Sequence, residues 1–131
     1  MARRRIAIVG SRDYPRPDLV EAFVARLPKS AVVVSGGARG VDSVAVEAAE
    51  ARGLEAVVFP ADWRRWRRSA GPRRNAEIVE HADRVVAFWD GASRGTLDTV
   101  RRARRAGLPI EIYDAGGAAL PVEVALAVLS I

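Results

Sequence analysis

The run Val34-Ser35-Gly36-Gly37-Ala38-Arg39-Gly40-Val41-Asp42 carries the strongest chemical signal in the chain. A β-branched apolar stretch passes there into a glycine-rich turn and then into a helical pattern. Glycines let the main chain approach an anion without an intervening Cβ, and the free N–H groups of a first helical turn, reinforced by the helix dipole, point at it. The chemistry implied is the binding of a phosphate. Taken alone, a Gly-Gly pair at such a junction serves equally as a tight turn, so the assignment depends on what surrounds it.

A second cluster is basic and aromatic. Trp63-Arg64-Arg65-Trp66-Arg67-Arg68 and Arg73-Arg74 crowd one stretch, and every basic residue of the chain except Lys29 is an arginine. Guanidinium groups interleaved with indole planes suit a base stacked beside a phosphate, although the tryptophans could equally cap the core and the arginines form a solvated face. Arg73 and Arg74 fall where a helix beginning near Pro72 is expected. Cations there oppose the helix dipole, which an external anion would relieve.

Other chemistries find little material. The chain has no cysteine, which removes disulfides, thiol nucleophiles and Cys-ligated zinc, and its one histidine, His81, sits beside an apolar stripe as a surface or helix-end residue. No transition-metal set can be assembled; a magnesium ion bridging a ligand phosphate to Asp62 or Asp90 stays open. For catalysis, no two carboxylates have a spacing that marks an acid and a base.

The elements that must position these residues follow from periodicity. Short apolar strands are expected at residues 5–9, 31–34, 56–59, 85–89 and 109–113. Between them lie apolar stripes at helical spacing: Leu19, Val20, Phe23, Val24 and Leu27; Val41, Val44, Ala45, Ala48 and Ala49; Ile78, Val79 and Ala82; and Leu97, Val100 and Ala103, the last closed by Gly107-Leu108-Pro109. The order βαβαβαβαβ predicts an α/β fold, a Rossmann-like doubly wound parallel sheet of about five strands with helices on both faces. Ligands of such sheets bind outside the carboxyl ends of the strands. Four loops meet that edge here: Gly10, Ser11 and Arg12; Gly36, Gly37 and Arg39; Pro60, Asp62 and Trp63; and Asp90, Gly91, Ser93, Gly95 and Thr96.

A chain of 131 residues, half of them hydrophobic, buries enough surface to fold as one domain without staples, and its net charge of +5 suits an anionic ligand. The start, Met-Ala-Arg-Arg-Arg, resembles the charged beginning of a signal peptide, but the apolar run behind it breaks at Gly10 and reads as a strand. No segment is long enough to span a membrane, and a cytoplasmic location is expected. Residues 1–114 read as the nucleotide-binding domain. Residues 115–131 read as an apolar tail, a helix with Pro121 at its first position or else an added strand, packed over the sheet or buried between two subunits of a homodimer.

Several motifs together carry a family resemblance: Val9-Gly10-Ser11-Arg12, Ser35 to Asp42, Phe59-Pro60-Ala61-Asp62-Trp63, Gly71-Pro72-Arg73-Arg74-Asn75, Phe88-Trp89-Asp90-Gly91 and Ser93-Arg94-Gly95-Thr96. In this order they resemble the SLOG superfamily of Rossmann-like domains, in its YspA, YpsA-related branch, over residues 5 to about 113. The chain is also similar to the central domain of DNA-processing protein A, which binds single-stranded DNA, and more distantly to the cytokinin-activating phosphoribohydrolases.

The resemblance implies a nucleotide or nucleotide-derived ligand whose phosphate lies against Gly36-Gly37 and the helix start at Gly95-Thr96. Ser11 and Arg12 would flank it, Arg39 would pair with phosphate or hold the loop, and Arg73, Arg74 and Asn75 would approach from the third helical pattern. Ser35, Gly40, Asp62, Trp63, Asp90 and Ser93 complete the expected ligand-binding set, while Asp42 is expected to brace the loop by accepting N–H groups. The phosphoribohydrolases pair an arginine on the third helix with a glutamate where this chain has Thr99, so the resemblance makes Arg73, Asp90 and Asp98 the candidates for catalysis, with Asp98 one step from the glutamate position and rotated by about 100 degrees on the helix. The reading is a nucleotide-binding sensor or carrier; the alternatives are N-glycosidic hydrolysis of a nucleotide and single-stranded DNA binding.

Overall fold

The computed structural model describes residues 4–130; residues 1–3 and 131, and with them the first residues of the basic start and the last of the tail, lie outside the described part. Five strands form one parallel sheet: β1 (Arg4–Gly10), β2 (Ala31–Ser35), β3 (Glu55–Val58), β4 (Arg84–Phe88) and β5 (Ile110–Tyr113). Their order across the sheet is β3-β2-β1-β4-β5. The chain winds outward through β2 and β3, then returns to place β4 beside β1, with Ile6 opposite Arg84 and Gly10 opposite Phe88. This reversal is the topological switch point, where the connections on either side lead away in opposite directions and leave a crevice.

Alternation along each strand divides the core into two layers. Ile6, Ile8, Val33, Val86 and Phe88 face one side, packed under α1 (Pro17–Ala25) and α2 (Val41–Ala51). Ala7, Val9, Val34, Val85, Ala87 and Ile112 face the other, under α4 (Ala70–Glu80) and α5 (Arg94–Arg105). A constant right-handed crossover puts the helices on opposite faces once the winding direction reverses. The central strands are apolar on both sides because both faces are covered.

Between β3 and α4 the chain makes a one-turn helix, α3 (Trp63–Trp66), and a 3-10 turn over Arg67–Ser69. Periodicity did not announce α3, because it buries none of its residues. Its start is set instead by Asp62, whose carboxylate accepts the Arg65 N–H at 3.1 Å.

The tail is helical: α6 (Val122–Leu126) follows Pro121, which caps the helix instead of opening it, and a 3-10 turn spans Ala127–Ser130. It packs within its own chain, with Ala125 fully buried and Leu120, Val122, Leu126, Val128 and Leu129 against the second core layer. The alternative of an added strand reduces to one antiparallel bridge between Tyr113 and Ala119. Among the described residues no helix is long and apolar enough to cross a membrane.

Candidate functional site

The carboxyl ends of β1 and β4 open into a crevice of about 880 Å³. Its base is the switch point. Gly10 is required there by close approach, since a Cβ would collide with the Phe88 carbonyl and the Val41 side chain. The β1 and β4 loops are tied together: Ser11 N–H donates to the Phe88 carbonyl at 3.1 Å, and the buried Ser11 hydroxyl accepts the Asp90 N–H at 3.0 Å.

Of the residues expected at the site, Gly10, Arg12, Trp63, Arg74, Asn75, Asp90, Ser93, Gly95, Thr96 and Asp98 line this crevice. Ser11, Ser35, Gly36, Gly37, Arg39, Gly40, Asp62 and Arg73 do not. Ser11, Ser35 and Gly36 are buried behind it, and Gly40 lies against the Arg12 main chain. Arg39 is exposed, Asp62 is spent on the α3 cap, and Arg73 lies over the Trp66 ring with its guanidinium carbon 3.6 Å from the centroid.

The glycine-rich loop differs from expectation in where its donors go. Gly37 N–H donates to Ser35 Oγ at 3.1 Å, and Ala38 N–H to Asp42 Oδ2 at 3.4 Å. Ser35 and Asp42 thus take N–H groups that were expected to meet an external anion, and Asp42 braces the loop as expected. Gly37 has φ +70 and a Cβ there would lie 2.7 Å from Val58, so it shapes the turn. Burial pushes the Asp42 carboxyl up to about 6, against the charge of Arg74 and the N–H groups of Ala38, Gly36 and Gly10.

Arg74 completes this brace. It donates from Nη1 to the Gly36 carbonyl at 2.9 Å and from Nε to Asn75 Oδ1 at 3.0 Å. Because α4 begins at Ala70, Arg73 and Arg74 stand past its first turn, and the dipole conflict expected for a helix opening near Pro72 does not arise. That conflict belongs to Arg94. It is the first residue of α5, whose first turn holds no acidic residue, and it makes no ion pair among the described residues.

The start of α5 is ordered from within. Ser93 caps it by accepting Thr96 N–H at 3.3 Å, and Asp90 accepts the N–H groups of Ala92 and Ser93 at 2.9 and 3.0 Å. By helix geometry the Arg94 and Gly95 N–H groups have no intrahelical acceptor. A Cβ on Gly95 would meet open space, so that turn faces the crevice unobstructed.

Both carboxylates named as catalytic candidates here are held as acceptors. Burial would raise Asp98, but hydrogen bonds from Arg102, Asn75 and Arg101 outweigh it and keep the carboxyl below its usual range. Burial would likewise raise Asp90, and the N–H groups of Ala92 and Ser93 with the Ser11 hydroxyl bring it below. Thr99 is buried and returns its hydroxyl to the Gly95 carbonyl at 3.5 Å. Of Asp62 and Asp90 only Asp90 lines the crevice, and no group of three or more metal-ligating side chains occurs among the described residues. His81 ends α4, its Nδ1 2.8 Å from the Glu77 carbonyl.

Sequence reasoning missed four lining residues of note. Asp13, Arg94 and Arg101 lie in or beside the motifs, and Arg94 could have been found from its place one residue after a Ser helix cap. Leu129 comes from the tail and had no local signal.

The model of the YspA, cpYpsA-related SLOG family matches residues 4–66. The gene 61 protein of Mycobacterium phage D29 is 38% identical over 117 residues, covering 82% of this chain and 94% of the phage protein. Two solved structures share the fold. DNA processing protein A from Streptococcus pneumoniae has a TM-score of 0.68 at 22% identity, and the match covers 85% of this chain but 50% of that one, so the chain spans half the length of the pneumococcal protein. DNA processing protein A from Helicobacter pylori, described with its single-stranded DNA binding mode, has a TM-score of 0.60 at 19% identity, covering 98% of this chain and 80% of that one.

Proposed function

We propose that this chain, which belongs to the YspA, cpYpsA-related SLOG family, binds a nucleotide or nucleotide-derived phosphate in the crevice between β1 and β4, as a sensor or carrier. The observation that carries this reading is the division of labour around the crevice. Trp63, half exposed, brings an aromatic ring to the lining, while Arg12, Arg94 and the first turn of α5 bring positive charge and donors. The volume suits a ligand of that size, since small-molecule sites run from about 300 to 1,000 Å³. A phosphate is assigned to the Arg94–Thr96 turn and Arg12, because the Gly36, Gly37 and Ala38 N–H groups serve Asp42 and Ser35.

Hydrolysis draws little support from this geometry. The position that would need a free carboxylate holds the buried Thr99, and Asp90 and Asp98 are committed to hydrogen bonds that oppose proton uptake. Single-stranded DNA is the second reading, favoured by the exposed indole on the crevice wall and by the fold shared with the Helicobacter protein.

Calorimetric titration with a panel of nucleoside monophosphates and diphosphates tests the proposal. Saturable binding is expected, weakened about tenfold or more by Trp63→Ala through loss of stacking. The absence of binding by every member of the panel, with the protein folded, would overturn it.

A further inference from the structure

The ridge made by α3 and the turn after it is not explained by the crevice. Every residue from 62 to 69 is exposed. Residues 63–76 contain six arginines and no acidic residue, and none of Arg64, Arg65, Arg67, Arg68 or Arg73 makes an ion pair among the described residues. Like charges so crowded repel one another, and among the described residues the side chains of Arg64, Arg67 and Arg68 recover none of that cost in a ring contact, hydrogen bond or ion pair. Arg67 adds a second, independent oddity. It has φ 51 and ψ −123, and it is the one non-glycine residue with positive φ among those described. Glycine would take that conformation without strain, but it would remove a cation from the ridge.

The two tryptophans are not equivalent. Trp66 is engaged by Arg73 at 3.6 Å and by Arg65 at 4.7 Å from its ring centroid, so its ring holds guanidinium groups in place on the ridge. Trp63 is the more exposed and lines the crevice, which makes the crevice and the ridge one continuous surface. A surface that alternates one stacking face with several unpaired guanidinium groups matches a chain of unstacked bases joined by phosphates.

We infer that the ridge is an outer subsite for a single-stranded nucleic acid. The base held against Trp63 is one unit of a strand, and the neighbouring phosphates lie along Arg64, Arg67 and Arg68. This rests on the nucleotide reading of the crevice and adds a surface and a polymeric partner to it. Duplex is excluded as the partner because its bases are stacked on one another and leave Trp63 nothing to receive.

The test compares thymidine monophosphate with labelled oligothymidylates of up to about twelve nucleotides, by anisotropy across a salt series. The strand should bind at least about tenfold tighter than the monophosphate, and its log–log salt slope should be steeper by about 2, for three further phosphates at about 0.7 each. The exposed triple substitution Arg64→Ala, Arg67→Ala, Arg68→Ala should bring the strand back to the monophosphate's affinity and slope, with monophosphate binding unchanged. A wild type that binds the monophosphate but gains nothing from length overturns the ridge alone. Equal affinity for a duplex of the same length also overturns it. Loss of binding to both the monophosphate and the strand in the wild type overturns the crevice reading with it.

Discussion

Replacing Asp42 with asparagine should remove a pH dependence that burial has built into the fold. Asp42 is 5% exposed, and its carboxyl is pushed up to about 6 from 3.8, first by burial. The folded state therefore holds a proton in the range where the unfolded chain has already lost it. Asp42 contributes stability that is fully present below pH 3.8 and is lost as the pH rises through about 6. At about 1.4 kcal/mol per unit, the loss amounts to about 3 kcal/mol by neutral pH. Asp42→Asn keeps the shape and an acceptor for the Ala38 N–H while carrying no charge, so it should escape this loss. Urea unfolding of both proteins from pH 4 to pH 7.5 gives the difference directly. Asp90 and Asp98, held below their usual range, act in the opposite sense and at lower pH, and they cancel because both proteins contain them. The variant should gain on the wild type between pH 4 and about pH 6 and hold that gain, without adding to it, up to pH 7.5. A difference that stays flat, or that favours the wild type as the pH rises, would show that the amide groups and Arg74 hold the anion more firmly than burial opposes it.

Arg74→Ala should lower ligand-free stability by about 1–3 kcal/mol, because the Gly36 carbonyl and Asn75 lose their donor and Asp42 loses its cation; equal stability by chemical denaturation would contradict the brace. Arg67→Gly should raise stability by up to about 1 kcal/mol, the released φ strain exceeding the unfolded-chain entropy that a glycine adds, and an unchanged or lower midpoint of thermal unfolding would show that the strain does not exceed that entropy. Deleting residues 119–131 uncovers the second core layer, including Ile112 and the inner face of α5, so circular dichroism should report a marked loss of stability; a truncated chain that melts like the full one would remove the tail from the core.

Much of the architecture was legible because its cause is local. Apolar runs of four or five residues alternating with stripes at helical spacing placed all five strands, with ends shifted by a residue, since Arg4, Gly10 and Ser35 extend the ladders their neighbours begin. Parallel strands send their carboxyl ends to one edge, so the four loops rich in glycine and polar residues had to meet there. Seven of the residues expected at the site line the crevice for that reason, while Arg74, Asn75 and Asp98 reach it from α4 and α5.

The sequence by itself determined the strand and helix order, the edge at which ligand-facing loops collect and the identity of Asp42 as a loop brace. Tertiary structure alone decided which donors remain free. The glycine-rich loop looked open to an anion, but Arg74 arrives from α4 to take the Gly36 carbonyl, and Asp42 folds back on the loop N–H groups. It also made α3 from a segment with no buried face, moved the start of α4 ahead of its arginines and brought Leu129 to the crevice. Periodicity records which way a side chain must face along one element. Desolvation and hydrogen-bond partnership depend on groups that meet only when distant elements pack, as when Arg74 approaches Gly36 across 38 positions of sequence.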